Sequence, residues 1–257
     1  MPLFETESLI LKSYNLAEAD RIVVFFTKEH GVVRGVAKGA KRMKSRFGST
    51  LEPFSTVQLS YFQKEDRELV SIQHVELVRS CFDEAADPEF LHTFSYIADL
   101  LLAFAPPHDP NETLYRMVKA CLASASLGKS PLPSIRLYFE VWLLRLGGYL
   151  PDWNRCGECK RQIESESTAF LGPDFHLACK SCKRMRSLVE IGPDYRQVFS
   201  DVQKLPPADF VSSVETRPDL VRNLSDVMRR IISQVLGRQL PDGSLRYRDQ
   251  AAGGNAI

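Results

Sequence analysis

Four of the six cysteines form two Cys-x-x-Cys pairs, Cys156 with Cys159 and Cys179 with Cys182, and nineteen residues separate the pairs. Each pair places two thiols on one side of a tight turn. Two such turns that face each other give the tetrahedron of sulfurs that structural Zn²⁺ prefers. The spacing is typical of zinc sites with four cysteine ligands. We therefore predict one structural zinc ion per chain on these four residues.

Two other uses of these cysteines are open at this point. Two disulfides are one alternative, but residues 1–7 lack the basic and apolar regions of a signal peptide, so an oxidising compartment has little support. His176 lies three residues before Cys179 and offers a nitrogen in place of one sulfur. Four sulfurs leave no open position for water, which indicates a structural metal and not a catalytic one. The isolated Cys81 and Cys121 sit beside apolar residues and are predicted to be buried.

A run of cations is the second candidate site. Between positions 34 and 46 there are six cationic residues and no acidic residue. Small residues between the charges let the backbone approach a phosphate chain, and neutralised phosphates release counterions. Phe47, Tyr61 and Phe62 are candidates for stacking on unpaired bases. The alternative is a solvated basic loop. The predicted nucleic-acid-binding residues are Arg34, Lys38, Lys41, Arg42, Lys44 and Arg46.

Composition sets the broad class of the protein. The chain has 257 residues, of which 44% are hydrophobic, so it can build a core of ordinary size. Its net charge is only +1, so only the local distribution of charge is informative about partners. No stretch approaches eighteen apolar residues, which argues against a membrane span. We predict a cytoplasmic protein.

The N-terminal region is predicted to be a small β-barrel. Residues 1–80 contain five short runs rich in β-branched and aromatic residues, with turn signals between them. This number of strands fits a five-stranded Greek-key barrel of the oligonucleotide-binding (OB) type. The predicted strands cover 8–13, 21–27, 32–37, 57–61 and 68–75.

The rest of the chain is predicted to be helical, with the cysteines inserted. After a first helix, a second one is predicted to begin at an N-cap, either Asn111 or Asp109. The third helix is apolar on most sides, so it should lie at the centre of the helical region. The predicted helices cover 90–104, a segment starting near 111, 133–146, 193–204 and 218–237.

The fold class predicted from these elements is α+β, with an OB-fold β-barrel followed by an all-helical domain that carries an inserted four-cysteine zinc module. The predicted tail is polar and disordered. The proposed units are 1–80 (barrel), 81–152 and 188–240 (helical domain), 153–187 (zinc module) and 241–257 (tail).

Three segments occur in a specific order. Residues 36–45 read Val-Ala-Lys-Gly-Ala-Lys-Arg-Met-Lys-Ser, and residues 51–55 read Leu-Glu-Pro-Phe-Ser. Residues 139–151 read Phe-Glu-Val-Trp-Leu-Leu-Arg-Leu-Gly-Gly-Tyr-Leu-Pro and lead into the cysteine pairs. In this order, and over about residues 3–240, the chain resembles the RecO family of bacterial DNA repair and recombination mediators.

The resemblance implies a DNA-binding protein that works with partners. It implies binding of single- and double-stranded DNA, annealing of complementary strands, and action with RecR in loading RecA onto DNA covered by the single-strand-binding protein. It places the protein in the cytoplasm, associated with the nucleoid. The acidic C-terminal tail of the single-strand-binding protein is expected to bind the helical domain, where Arg222, Arg229 and Arg230 are candidate contacts.

Motifs typical of enzymes are absent from the sequence. It has no Gly-x-x-x-x-Gly-Lys-Ser/Thr loop and no Gly-x-Ser-x-Gly elbow, and its five histidines are scattered. We predict that the chain is not an enzyme. Two alternatives are a nuclease whose carboxylates come from distant segments and a zinc-ribbon adaptor or transcription-type protein.

Overall fold

The computed structural model describes residues 2–64, 68–125, 131–183 and 189–239. It contains an N-terminal barrel, a region of helices and a small sheet beside the four cysteines. The predicted fold class is confirmed. The predicted tail, 241–257, lies outside the described residues. Within the described ranges, no helix has the length and apolar character that crossing a membrane requires.

Five strands close the barrel: β1 (Leu3–Leu16), β2 (Asp20–Thr27), β3 (Gly31–Ala37), β4 (Thr56–Phe62) and β5 (Val70–Arg79). Their order around the barrel is β1-β2-β3-β5-β4. β1 is longer than predicted because it pairs with β4 through residues 3–9 and with β2 through residues 8–16. A β-bulge between Ile10 and Lys12 lies just after this change of partner. A bulge increases bend and twist, so the strand turns the corner of the barrel here.

β2 is buried on both of its faces. Val23 and Phe25 belong to the core inside the barrel, whereas Val24 and Phe26 pack with the helical region. This alternation follows from the two-residue period of a strand. A strand covered on both sides needs apolar residues at every position, which explains the sequence Ile-Val-Val-Phe-Phe at 22–26.

The described helices begin with a short 3-10 turn (Glu84–Ala86) and continue with α1 (Pro88–Phe104), α2 (Glu112–Ala125), α3 (Leu132–Leu146), α4 (Pro193–Lys204), α5 (Pro207–Ser213) and α6 (Pro218–Leu236). α5 was not predicted, because a helix of seven residues carries little periodic signal. The side chain of Asn111 accepts a hydrogen bond from the Leu114 N–H at 2.9 Å. Asn111 is therefore the cap, and Asp109 is not.

α3 lies at the centre of the helical region, as predicted, and packs against the other five helices. Its Glu140 is fully buried and accepts hydrogen bonds from Tyr96 of α1 at 2.8 Å and Ser225 of α6 at 2.6 Å. Arg136 completes the set at 3.2 Å. Burial raises the pKa of Glu140, although these three partners act in the opposite direction. One carboxyl group thus links three helices.

One hydrophobic core joins the outer face of the barrel, the helices and the cysteine module. A second core fills the barrel interior. The module contains a small sheet in the order β7-β6-β8, made of β6 (Ala169–Leu171), β7 (Leu177–Ala178) and β8 (Val189–Ile191). The proposed boundaries after residues 80, 152 and 187 stay a prediction about folding units, because the larger core crosses them.

The turn between β2 and β3 presses against the connection between α1 and α2. Gly31 has a φ of +63°, and a Cβ built there would lie 2.3 Å from the carbonyl oxygen of Asp109. The His108 N–H donates to the carbonyl of Val32 at 3.3 Å. Because two backbones meet here, only glycine fits.

We expect Gly31→Ala to destabilise the protein more than Gly48→Ala. Both glycines have positive φ, +63° and +50°, and only Gly31 has neighbours within 4 Å of a built Cβ. The positive φ costs each variant about 1–2 kcal/mol. The collision with the Asp109 backbone should add about 2 kcal/mol for Gly31→Ala. Urea unfolding measures both losses, and equal losses would contradict the proposed packing.

Candidate metal centre and nucleic-acid interface

The four predicted metal ligands lie together. The sulfurs of Cys156, Cys159, Cys179 and Cys182 are all within 4.8 Å of one another, and those of Cys159 and Cys179 are 3.9 Å apart. Sulfurs bound to one zinc at about 2.3 Å are about 3.8 Å apart, whereas a disulfide requires about 2.05 Å. The exposed His176 is not part of this cluster. The geometry fits a tetrahedral metal site and not two disulfides.

Backbone hydrogen bonds bring the two cysteine turns together. The Gly157 N–H donates to the carbonyl of Leu177 at 2.8 Å. The Lys160 N–H donates to the carbonyl of Cys156 at 3.0 Å, and a φ of +61° at Lys160 closes the first turn. A Cβ at position 157 would lie 2.9 Å from the Cβ of His176. Glycine at this position therefore permits the close approach of the two turns.

The electrostatics of the cluster favour a bound cation. Burial alone would raise the pKa of Cys156, but the backbone N–H groups of Cys159, Cys179 and Glu158 lower it to about 6. Hydrogen bonding to the sulfurs of Cys179 and Cys159 raises the pKa of Cys182 to about 12. Four close sulfurs cannot all ionise without a compensating charge. The thiolate is the form that binds metal, so a divalent cation resolves this conflict.

Two side chains fix the cysteine module to α4. Trp153 stacks on Phe199 with ring centroids 4.3 Å apart, and its Nε1–H donates to the carbonyl of Phe175 at 3.0 Å. The guanidinium of Arg196 donates to three carbonyl groups within residues 163–167 at 2.5–3.2 Å. The module is therefore held by contacts besides the metal site.

The predicted basic segment lies in β3 and the loop after it, and all six cations are exposed. None of the six forms an ion pair with a described carboxylate. Arg46 differs from the rest, because its guanidinium donates to the carbonyl of Ile72 at 3.1 Å and lies over the ring of Phe47 at 4.8 Å. Five cations thus remain available for phosphates.

The basic loop is held in place by two buried apolar side chains and by backbone hydrogen bonds to the β1–β2 turn. Phe47 and Leu51 are 1% and 2% exposed and belong to the core inside the barrel. The backbone N–H groups of Gly39 and Lys41 donate to acceptors at the β1–β2 turn at 2.7 and 2.9 Å. These contacts hold the loop while its cationic side chains face solvent.

The prediction that Phe47 and Tyr61 stack on bases is wrong. They are 1% and 2% exposed, so no base can reach them. Phe47 is the apolar plug of the loop, and Tyr61 occupies an inward position on β4. Phe62 points away from this core and is half-buried. In the sequence, an aromatic residue beside cations looks the same whether it packs in the core or stacks on a base. Only its burial in the fold distinguishes the two roles.

The cysteine module also carries an excess of cations. Residues 153–187 contain seven cations and four acids. Among the cations, Arg155, Lys160, Lys180 and Lys183 are exposed, and Arg184 lies outside the described residues. This excess is smaller and more dispersed than that of the basic segment, which has six cations and no acid within thirteen residues.

A groove of about 740 Å³ separates the barrel from the helices. Its lining includes the cations Lys28, Arg116 and Lys119 and the acids Glu7 and Glu112, and the half-buried Trp142 provides aromatic surface. Sequence reasoning missed this site, because its residues come from different elements and share no motif.

Glu7 lies in the same groove. It accepts hydrogen bonds from Lys119 at 2.7 Å and from the Tyr115 hydroxyl at 3.1 Å. Burial opposes its charge, but Lys119, Tyr115 and the nearby Lys28 lower the pKa of Glu7. The acid is therefore ionised and already paired with Lys119. Lys28 lies 3.7 Å from Glu29, so Arg116 is the groove cation that remains for a ligand.

The comparisons with known families agree with this geometry. The family described as Recombination protein O N terminal matches residues 1–81. The family described as Recombination protein O C terminal matches residues 86–243. The chain belongs to the RecO family. The resemblance drawn from the basic segment and from the helix before the cysteines is confirmed.

Several proteins named DNA repair protein RecO are similar over most of the chain. That of Koribacter versatilis is 29% identical over 239 residues, which cover 93% of this chain and 94% of the relative. That of Rubrobacter xylanophilus is 27% identical over 257 residues, with 99% of each covered. That of Geobacter metallireducens is 31% identical over 189 residues, with 74% and 75% covered. The chain is thus a DNA repair and recombination protein of the RecO family.

We expect this RecO-family chain to contain one zinc ion per chain when purified. Cys179→Ser leaves three sulfurs, so the variant should lose the metal and unfold the module, because such small units fold around their metal. The helices keep their own core and should be affected less. Elemental analysis and circular dichroism measure the two effects.

Cys81→Ser is the matched control, because Cys81 is also buried but lies outside the cluster. It should retain one zinc ion. Zinc-free wild-type protein, purified with or without a reducing agent, would refute the assignment.

Proposed function

We propose that the chain binds single- and double-stranded DNA, anneals complementary strands and, with RecR, helps RecA load onto DNA covered by the single-strand-binding protein. It acts by binding and not by catalysis. The observation that carries DNA binding is the basic segment, whose six cations are exposed and have no described ion-pair partner. Membership of the RecO family supports the place of this activity in repair.

The basic segment is suited to phosphates and not to base edges. Its side chains extend from a loop that is anchored to the barrel wall, so it presents a charged surface and no element shaped to enter a groove. Phosphate contacts fix the position of a strand but carry no sequence information. Single and double strands should therefore both bind, largely independently of sequence.

Annealing follows from the same contacts. A strand held by its phosphates keeps its bases free to pair with a complementary strand. The cations also reduce the repulsion between two phosphate backbones as they approach. The protein needs no catalytic group for this activity.

Replacing Lys41, Arg42 and Lys44 together by Glu should weaken binding to all DNA sequences alike. If about five phosphates are neutralised on a single strand, the logarithm of affinity falls against the logarithm of salt concentration with a slope of about −3.5. Losing three contacts should flatten that slope to about −1.5. Fluorescence anisotropy across a salt series measures the slope, and strand annealing should fall in parallel.

The matched control has the same change of charge on another surface. Arg222, Arg230 and Arg238 lie in or just after α6 and are exposed. Replacing these three by Glu should leave the slope near its wild-type value. If the loop variant is folded and binds DNA like the wild type, the DNA site lies elsewhere.

We further propose that the acidic tail of the single-strand-binding protein docks in the groove between the barrel and the helices. Arg116 is exposed there and has no described ion-pair partner, and the half-buried Trp142 offers apolar surface for the side chains of a peptide. Two of the three arginines first considered on α6 already have acidic partners. Arg222 is 3.3 Å from Asp219, and Arg229 is 3.7 Å from Asp226.

Arg116→Glu should weaken binding of the acidic tail peptide about tenfold, since charge reversal replaces attraction by repulsion. Arg222→Glu is the matched control and should bind the peptide as the wild type does. Titration calorimetry with the peptide and the full chain measures both. Equal weakening by the two variants would show a general effect of charge, and no weakening by Arg116→Glu would place the peptide elsewhere.

A further inference from the structure

The outer face of one barrel wall is only partly covered by the helices. The second half of β1 forms this wall with β2 and β3. Their register aligns Leu9, Phe26 and Val32 across the three strands, and all three residues pack with the helices. Farther along the wall, a row on the same outer face carries Lys12 and Arg34, where Lys12 pairs with Asp99 of α1.

The next row on this face is open to solvent. It aligns Tyr14 of β1 with Ile22 of β2 and Val36 of β3. Tyr14 is 50% exposed, while Ile22 and Val36 are half-buried. Among the described residues, Tyr14 has no aromatic neighbour and its hydroxyl forms no hydrogen bond. An exposed aromatic ring thus stands beside a small apolar surface.

Cations of the basic segment flank this row. Arg34 lies on the same face as Val36 because side chains alternate along a strand. Lys38 follows β3 directly and begins the basic loop. Adjacent strands are about 4.8 Å apart, so the Cα of Tyr14 lies about 10 Å from the line of β3. A nucleotide whose base lies on the tyrosine ring can thus place its phosphates near Arg34 and Lys38.

We propose that Tyr14 stacks on an unpaired base of a single strand whose phosphates are held by Arg34, Lys38 and the basic loop. The proposal rests on the proposed DNA-binding function and gives it a contact specific to single strands. In a duplex the faces of the bases are covered by their neighbours, so the ring has no surface to contact. The basic loop serves both forms of DNA, and Tyr14 serves only single strands.

The test compares single-stranded and duplex DNA of equal length, bound to the full chain with Tyr14→Ala and Tyr14→Phe. Tyr14→Ala should weaken single-strand binding about tenfold, the size typical of one stacked base. Its salt slope should match that of the wild type, because no phosphate contact is lost. Duplex affinity should not change. Tyr14→Phe should bind like the wild type, because stacking needs the ring and not the hydroxyl.

A strand that lacks bases gives a second readout. Wild type and Tyr14→Ala should bind an abasic oligonucleotide with equal affinity, because only the phosphate contacts remain. Tyr149→Ala is the control, since Tyr149 is 51% exposed and follows α3, where its ring lies edge-on to Phe104 of α1. This variant should bind both forms of DNA like the wild type.

The outcomes separate this proposal from the one on which it rests. Three results would each overturn the stacking role. Tyr14→Ala could bind single strands like the wild type, or it could weaken single-strand and duplex binding equally. Tyr14→Phe could lose as much single-strand affinity as Tyr14→Ala. The first of these, together with loss of binding in the Lys41, Arg42 and Lys44 variant, would leave the DNA-binding function intact. Absence of DNA binding by the wild type would overturn both.

Discussion

The burial of β2 on both faces is the constraint on which the rest of the structure depends. Val23 and Phe25 fill the barrel, and Val24 and Phe26 join the helical core. A single strand therefore serves two cores, and the barrel wall cannot move away from the helices without exposing one of them. Each such large side chain contributes about 1.5–3 kcal/mol when buried. The arrangement of barrel and helices is thus set by the wall that they share.

This shared wall decides where a ligand can bind. The helices cover the outer rows near Leu9 and Val32 and leave the rows near Tyr14 and Lys38 open. The basic loop begins at the open end, because β3 ends there at Ala37. The cations of the basic loop therefore lie beside the uncovered part of the barrel wall because of where β3 ends. The buried side chain of Phe47 then holds the basic loop on the barrel, while the cations of the loop remain exposed to water.

The sequence predicts those features that depend on local pattern. The cysteine spacing, the apolar run of β2 and the periodicity of α3 each carry their structural meaning within a short stretch of chain. Features that depend on the fold were not predictable in this way. β1 extends beyond its predicted apolar run because it pairs with two strands. Phe47 is buried by strands that are distant in sequence. The groove joins Lys28 to Arg116 and Trp142, which no local pattern connects.

The two proposed ligand sites lie on different halves of β1, before and after its bulge. Glu7 lines the groove and Tyr14 lies on the open face seven positions later, at most about 23 Å away because β1 bends at the bulge between them. Charges in solution are screened over about 8 Å at physiological ionic strength. A strand of DNA at one site would therefore exert little repulsion on an acidic peptide at the other. A protein that meets its partner on DNA benefits from this arrangement, because it can hold the tail of the partner and the strand at the same time.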